Sequence, residues 1–121
     1  MKSAGKSGKL SPRGANKITV RGFVDQARLN KHVNKHLKKE PEFAGLTVKQ
    51  YENAAVKLLE SACGDGIEGY LDSFGNIIRY DKKHNWFVVG TPSGVWSFYA
   101  PENGYQWFKD KMKEAKKHGG S

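Results

Sequence analysis

The spacing of hydrophobic residues changes near the middle of the chain. From Phe23 to Leu37, and again from Thr47 to Cys63, apolar residues recur at intervals of three or four, which predicts two helices. From Ile67 onward, short runs rich in β-branched and aromatic residues are separated by turn residues, which is typical of strands joined by hairpins. The predicted strands are Ile67–Asp72, Ile77–Tyr80, Trp86–Gly90 and Val95–Tyr99.

The ends of the predicted helices are marked by capping and breaking residues. Pro41 disfavours helical geometry at Glu40, so the first helix should end there. Thr47 and Gln50 have the spacing of a capping box, and Gly64–Gly66 should stop the second helix. Aromatic residues near the C terminus predict a last helix or extended segment that packs back. We therefore predict an α+β fold, with N-terminal helices on one face of a four- to five-stranded antiparallel β-meander.

The composition changes at both ends of the chain. Residues 1–17 are rich in Gly, Ser and Lys and offer almost nothing that a core could bury, so we predict a flexible basic linker. Residues 18–116 should form a single domain and residues 117–121 a disordered tail. No apolar run approaches the roughly 20 residues that span a bilayer, so no stable membrane association is expected.

The chain is strongly basic and has one cysteine. It carries 21 lysines and arginines against 12 aspartates and glutamates, a formal net charge of +9. Such an excess is typical of proteins that bind a polyanion: nucleic acid, an acidic protein or an anionic membrane surface. The single cysteine excludes an internal disulfide and a cysteine-rich zinc cluster.

The stretch from Leu29 to His36 combines several chemically active side chains. Residues three and four apart are neighbours on a helix, so His32, Lys35 and His36 should converge on one surface. An imidazole can take or give a proton near neutral pH, and a lysine beside it can hold an anion. These groups suffice to cleave a phosphodiester without a metal. A basic surface helix with inactive histidines would give the same pattern.

Several short motifs follow one another in a specific order. Leu-x-x-His-x-x-Lys-His at Leu29–His36 is followed by Glu42-Phe43, Tyr51-x-x-x-Ala55, Gly69-Tyr70, Tyr80-Asp81 and Asn85-x-Phe87-x-Val89. In this order the motifs resemble the nuclease domains of the barnase/EndoU/colicin/RelE (BECR) fold, found in contact-dependent growth inhibition effectors and colicin D-like tRNA-cleaving toxins. The resemblance runs from Phe23 to Trp107. Trp96 and Ala100 replace residues that are usually basic in these domains, and Ser97 replaces a threonine.

The resemblance implies a metal-independent ribonuclease toxin used in competition between bacteria. In such enzymes the 2′-OH of RNA attacks the adjacent phosphorus and leaves a 2′,3′-cyclic phosphate, and tRNA is the expected substrate. The resemblance also implies delivery within a larger secreted or cell-surface effector, action in the cytoplasm of the target cell, and neutralisation by an acidic immunity protein. No cofactor is expected, and the domain should be a monomer apart from the immunity complex.

Each candidate residue then has an expected role. His32 or His36 would act as general acid or base, and Lys35 would pair with the scissile phosphate. Ser97 and Tyr99 alternate along one strand and so share a face of the sheet. Ser97 would donate a hydrogen bond to the phosphate, and Tyr99 would orient a base or a hydroxyl. The residues expected to bind other parts of the substrate are Tyr70, Arg79, Lys82 and Trp96.

Each assignment has a structural alternative. His32 can simply pack against the sheet, Lys35 can be a solvated charge, and Arg79 can pair with a neighbouring aspartate. For the whole protein, the alternatives are a non-catalytic basic RNA-binding module and a phage-type structural domain that keeps the fold without chemistry.

Overall fold

The computed structural model describes residues 10–16, 18 and 20–117, and its elements follow the predicted order. The helical elements are α1 (Gln26–His32), a π-helical segment (Val33–Leu37), a 3-10 turn (Pro41–Phe43), α2 (Val48–Glu60) and α3 (Gly104–Lys117). The strands are β1 (Ile67–Leu71), β2 (Ile77–Asp81), β3 (Trp86–Thr91) and β4 (Gly94–Tyr99). The predicted α+β fold is confirmed. Within the described ranges, none of the helices has the length and apolar character needed to cross a membrane.

The N terminus of α2 is capped as predicted. The Thr47 hydroxyl accepts a hydrogen bond from the Gln50 N–H at 3.1 Å, and Gln50 Oε1 accepts from the Thr47 N–H at 2.9 Å. These reciprocal bonds satisfy two donors that a helix start otherwise leaves unpaired. At the other end α2 stops at Glu60, three residues before the predicted Cys63.

The sheet is a four-stranded antiparallel meander in the order β1-β2-β3-β4, so β4 forms one edge. The segment before α1 borders this edge, because the Val95 N–H donates to the Gly22 carbonyl at 2.9 Å and Phe23 bridges Val95 in parallel. The register pairs Val89 with Ser97 but Gly90 with Val95, which leaves Trp96 as the extra residue of a β-bulge. The bulge decides which side chains of β4 point to each face.

Both faces of the sheet are covered: the N-terminal helices lie on one face, as predicted, and the C-terminal segment that was expected to pack back is a helix on the other. One face packs against α2, through a cluster that includes Tyr51, Ala55, Leu59, Ile77, Val88, Val95 and Phe98. The other packs against α3, through Phe108 together with Tyr70, Ile78, Tyr80 and Phe87. This second cluster is possible because β2 buries consecutive residues, so that its apolar side chains point to both faces.

The N-terminal residues that the structure describes belong to the folded unit. The Asn16 N–H donates to the Glu60 carbonyl at 3.2 Å, the Cys63 N–H donates to the Arg13 carbonyl at 2.7 Å, and Asn16 is buried. The folded unit therefore includes residues that precede the boundary predicted at residue 18. The rest of the predicted linker (residues 1–9 and 17) and residues 118–121 of the predicted tail lie outside the described residues.

Candidate active site

The helix carrying the two histidines changes its hydrogen-bond pattern halfway. Asp25 caps α1 by accepting from the Arg28 N–H at 2.7 Å. The next turn is π-helical, with the Lys38 N–H donating to the Val33 carbonyl at 3.1 Å. The N–H of Glu40 then bonds the His36 carbonyl at 2.8 Å, and Glu40 itself is extended. Such wide turns often mark functional sites, and this one leads the Glu40 side chain toward the end of β4.

Glu40 joins His36 to the sheet. Its Oε2 lies 2.6 Å from His36 Nδ1, and its Oε1 accepts from the Ala100 N–H at 2.8 Å. An ionised carboxylate can only accept, so the contact places a proton on Nδ1 and leaves Nε2 for exchange with another group. The His36 side chain is 12% exposed and that of Glu40 24%. The pair has the arrangement by which a carboxylate orients a catalytic imidazole.

Tyr99 completes this cluster from the sheet. Its ring stacks on His36, with centroids 5.1 Å apart and planes inclined by 24°, and it also contacts Phe87 and Trp107. Burial, with a smaller contribution from the charge of Glu40, raises the pKa of Tyr99 to about 12. Tyr99 therefore stays protonated near neutral pH and can donate a hydrogen bond. We call His36, Glu40 and Tyr99 the dyad cluster.

His32 lies beside the dyad cluster but is packed. Its ring is 5.3 Å from that of His36 and 5.4 Å from Phe23, and Nδ1 lies 3.1 Å from the Arg28 carbonyl. Burial is the largest cause of a lowered pKa for His32; the hydrogen bond to Arg28 opposes it, and repulsion from His36 and nearby cations adds to it. His32 thus fits the predicted packing alternative, while His36 has the geometry of a proton-transfer group.

Positive charge is concentrated on the helical segment that carries His36. Between Gln26 and Lys39 the chain has no carboxylate and five cations, namely Arg28, Lys31, Lys35, Lys38 and Lys39. Lys35 is exposed, so its ammonium can reach a bound anion without leaving the protein core. A cation-rich segment that also carries an oriented imidazole is suited to a substrate with phosphates.

Ser97 and Trp96 lie next to each other on β4 but in different surroundings. Ser97 shares the α3 face of the sheet with Tyr99 and is half-buried; among the described residues its hydroxyl has no hydrogen bond to the dyad cluster. Trp96 is 39% exposed at the bulge. The Arg28 guanidinium lies 4.8 Å from its ring and donates to its carbonyl at 3.2 Å. Trp96 can therefore stack on a base, and Arg28, which the sequence did not single out, places a cation beside it.

Two predicted substrate-binding residues lie toward the opposite edge of the sheet. Tyr70 is on β1 and packs against Phe108; burial is the main cause that raises its pKa to about 12. Lys82 lies in the turn after β2, with Nζ 3.4 Å from Glu68 Oε2. Among the described residues, no hydrogen bond, ion pair or ring contact joins either residue to the dyad cluster, although the charge of Tyr99 contributes to the raised pKa of Tyr70. Their role in substrate binding therefore stays a prediction.

Arg79 is a structural residue. Its side chain is fully buried, and its guanidinium donates to five carbonyls, those of Ser11, Pro12, Gly14, Ser61 and Ile78, at 2.8 to 3.4 Å. Every N–H of the group is thus matched to an acceptor within the protein. The predictions that Arg79 binds phosphate or pairs with a nearby aspartate are wrong, because its guanidinium is buried and bonds only to main-chain carbonyls. Arg79 instead connects the N-terminal segment to the end of α2.

Glu40 is the main functional candidate that sequence reasoning overlooked. A signal for it was present, because His36 and Glu40 are four residues apart, the spacing at which helical side chains meet. In the sequence, Glu40 stands out only as the residue at which Pro41 should end the helix. Its contact with the Ala100 N–H joins residues 60 positions apart, and no local pattern predicts such a contact.

Within the part of the chain that the structure describes, no three His, Cys, Asp or Glu side chains are grouped as metal ligands would be. Comparison with known proteins gives no further assignment: no family model and no curated protein matches this chain.

Proposed function

We propose that the protein is a metal-independent endoribonuclease in which His36 is the general acid or base. The observation that carries the proposal is the dyad cluster: an imidazole oriented by Glu40 and stacked on Tyr99, on a helical segment rich in cations. An oriented imidazole provides proton transfer near neutral pH, and the cations attract a phosphate backbone.

The proposed reaction uses the 2′-OH of RNA as the nucleophile. Neutral His36 takes the 2′-OH proton on Nε2, and the 2′ oxygen bonds to phosphorus. The bond from phosphorus to the 5′ oxygen breaks, and that oxygen leaves with a proton from water. The hydroxide that remains takes the proton back from His36, which restores the neutral imidazole. The products are a 2′,3′-cyclic phosphate and a 5′-OH. A positioned acid–base group contributes about 10²–10⁴-fold to such a reaction.

The remaining groups would stabilise the charge that develops on phosphorus. Lys35 is exposed on the same helical segment as His36, and we propose that it pairs with a non-bridging oxygen. The pKa of Tyr99 is raised to about 12, so near neutral pH its hydroxyl can donate a hydrogen bond but does not act as a base. Trp96 with Arg28 can stack on a splayed base at the neighbouring edge.

The biological setting of this proposal comes from the resemblance to BECR-fold toxins. We propose tRNA as the substrate, delivery by a larger secreted or cell-surface effector, and action in the cytoplasm of target bacteria. A net charge of +9 suits an acidic immunity protein, whose association would be fast and sensitive to salt. Apart from that complex the domain is proposed to be a monomer without a cofactor.

The test is RNA cleavage by purified protein in EDTA, with the new ends mapped chemically. His36→Ala should reduce the cleavage rate by about 10²-fold or more. His84→Ala is the matched control, because His84 Nδ1 also pairs with a carboxylate, Asp81 Oδ2, at 2.7 Å but lies in the β2–β3 turn. Equal rates for wild type and His36→Ala, or cleavage that EDTA abolishes, would contradict the proposal.

A second candidate function is RNA binding without cleavage. It is favoured by Trp96, which presents an exposed ring and the Arg28 guanidinium in the manner of a base-stacking platform. The same assay separates the two functions: wild-type protein that binds RNA tightly but produces no cyclic-phosphate ends supports the binding module.

A further inference from the structure

The first turns of α3 carry two aromatic rings with lysines over them. Lys82 and Lys109 place Nζ 4.6 and 4.9 Å from the ring centre of Tyr105, which is partly exposed. Lys111 places Nζ 5.7 Å from the ring centre of Trp107. We call these five residues the α3 surface.

Contacts between rings connect the α3 surface to the dyad cluster. Trp107 packs edge-on against Tyr99, with centroids 5.8 Å apart, and Tyr99 stacks on His36. Trp107 is also held by Phe87 at 4.6 Å, so its position relative to the sheet is fixed by packing. A strand bound at His36 would therefore meet Trp107 and Lys111 next.

We propose that the α3 surface binds the single-stranded RNA that flanks the bond held at His36. This inference rests on the proposed ribonuclease function and adds the form of the substrate. Lysines bind phosphates of any sequence, and aromatic rings stack on bases only when those bases are unpaired. A lysine over an exposed ring is held more weakly than a stacked base, so a base can replace it and free the ammonium for a phosphate.

The carboxylates near the α3 surface indicate which lysines bind phosphate. Glu68 accepts from the Tyr105 hydroxyl at 2.7 Å and lies 3.4 Å from Lys82 Nζ, so it partly neutralises Lys82. Among the described residues, no carboxylate lies within 4.0 Å of the ammonium of Lys109 or Lys111. These two lysines are therefore the proposed phosphate contacts.

The test measures binding and cleavage separately. Full-length His36→Ala protein is titrated with a fluorescent single-stranded oligouridylate over a range of salt, with and without Lys109→Ala/Lys111→Ala. The pair should lower affinity about tenfold and reduce the slope of log affinity against log salt by about 1.4, since each single-strand phosphate contact contributes about 0.7. Lys49→Ala/Lys57→Ala, on exposed positions of α2, removes the same charge and should have a much smaller effect.

Three results would overturn the inference. One is an equal loss of affinity for the two lysine pairs, and another is duplex RNA binding as tightly as the single strand. The third is Lys109→Ala/Lys111→Ala weakening binding to an acidic polypeptide but not to RNA, which would make the surface a protein contact. RNA cleavage by the wild-type protein is measured independently. No cleavage by wild type refutes the ribonuclease. Cleavage by wild type together with unchanged oligouridylate binding in the Lys109→Ala/Lys111→Ala variant refutes only the role of the α3 surface.

Discussion

Replacing Arg79 by methionine tests whether this residue is structural, as its contacts indicate, or binds substrate. The substitution keeps most of the aliphatic volume but removes all five hydrogen bonds to main-chain carbonyls. Gly69, opposite Arg79 on β1, leaves the room that the guanidinium occupies: a Cβ there would lie 2.6 Å from Arg79 Nη1.

The expected loss of stability depends on which of the five carbonyls can be hydrated once the guanidinium is removed. The acceptors at Ser11, Pro12 and Gly14 lie on the N-terminal segment, which can move away and be hydrated. The Ser61 and Ile78 acceptors are tied to α2 and the sheet, and each buried carbonyl left unpaired costs about 1–3 kcal/mol. Removing a buried charge returns part of its desolvation cost. We therefore expect the free energy of unfolding to fall by about 2–4 kcal/mol, a large share of the roughly 5–15 kcal/mol typical of a domain.

Urea unfolding of Arg79→Met and wild type measures this loss directly, with Arg21→Met as an exposed control expected to stay within about 0.5 kcal/mol. Hydrogen exchange gives a local readout: the amides of Asn16 and Cys63, which bridge the N-terminal segment and the end of α2, should exchange faster in Arg79→Met. A stability within about 1 kcal/mol of wild type would refute this reasoning. So would a fully folded variant whose only defect is weaker RNA binding.

Two further substitutions probe the dyad cluster and its neighbour. In Glu40→Gln the side chain can still accept from the Ala100 N–H, but its amide N–H₂ then faces His36 Nδ1 and favours the tautomer protonated on Nε2. The kcat for cleavage at neutral pH should fall about 10²–10⁴-fold, with urea unfolding as the control for stability. An unchanged kcat would remove Glu40 from the mechanism. For His32, burial lowers the folded-state pKa below the unfolded value of 6.5, so the unfolded chain binds more protons and stability should be lost as pH falls through 6.5, levelling off below the folded-state pKa. His32→Gln should flatten this dependence in urea midpoints between about pH 7.5 and 5, and a wild-type midpoint that rises toward acid pH would contradict it.

Local sequence was sufficient for the elements of this fold. Helix α2 was predictable because the Thr47–Gln50 capping box and the helical spacing act within a few residues. The four strands were predictable because short β-rich runs are bounded by turn residues, and consecutive strands then pair as hairpins. The facing of His32 and His36 followed from helical geometry in the same way.

Tertiary structure decided the composition of the candidate site. The bulge at Trp96 sets which face Tyr99 occupies, and the position of α1 at the edge of β4 brings His36 onto that ring. The bond from the Ala100 N–H to Glu40 and those from Arg79 to the N-terminal carbonyls join residues more than 50 positions apart. Side-chain type and spacing restrict what a residue can do locally. Whether a charged group is buried among carbonyls or faces a substrate depends on which distant segments pack against it, and that is fixed only when the whole core forms.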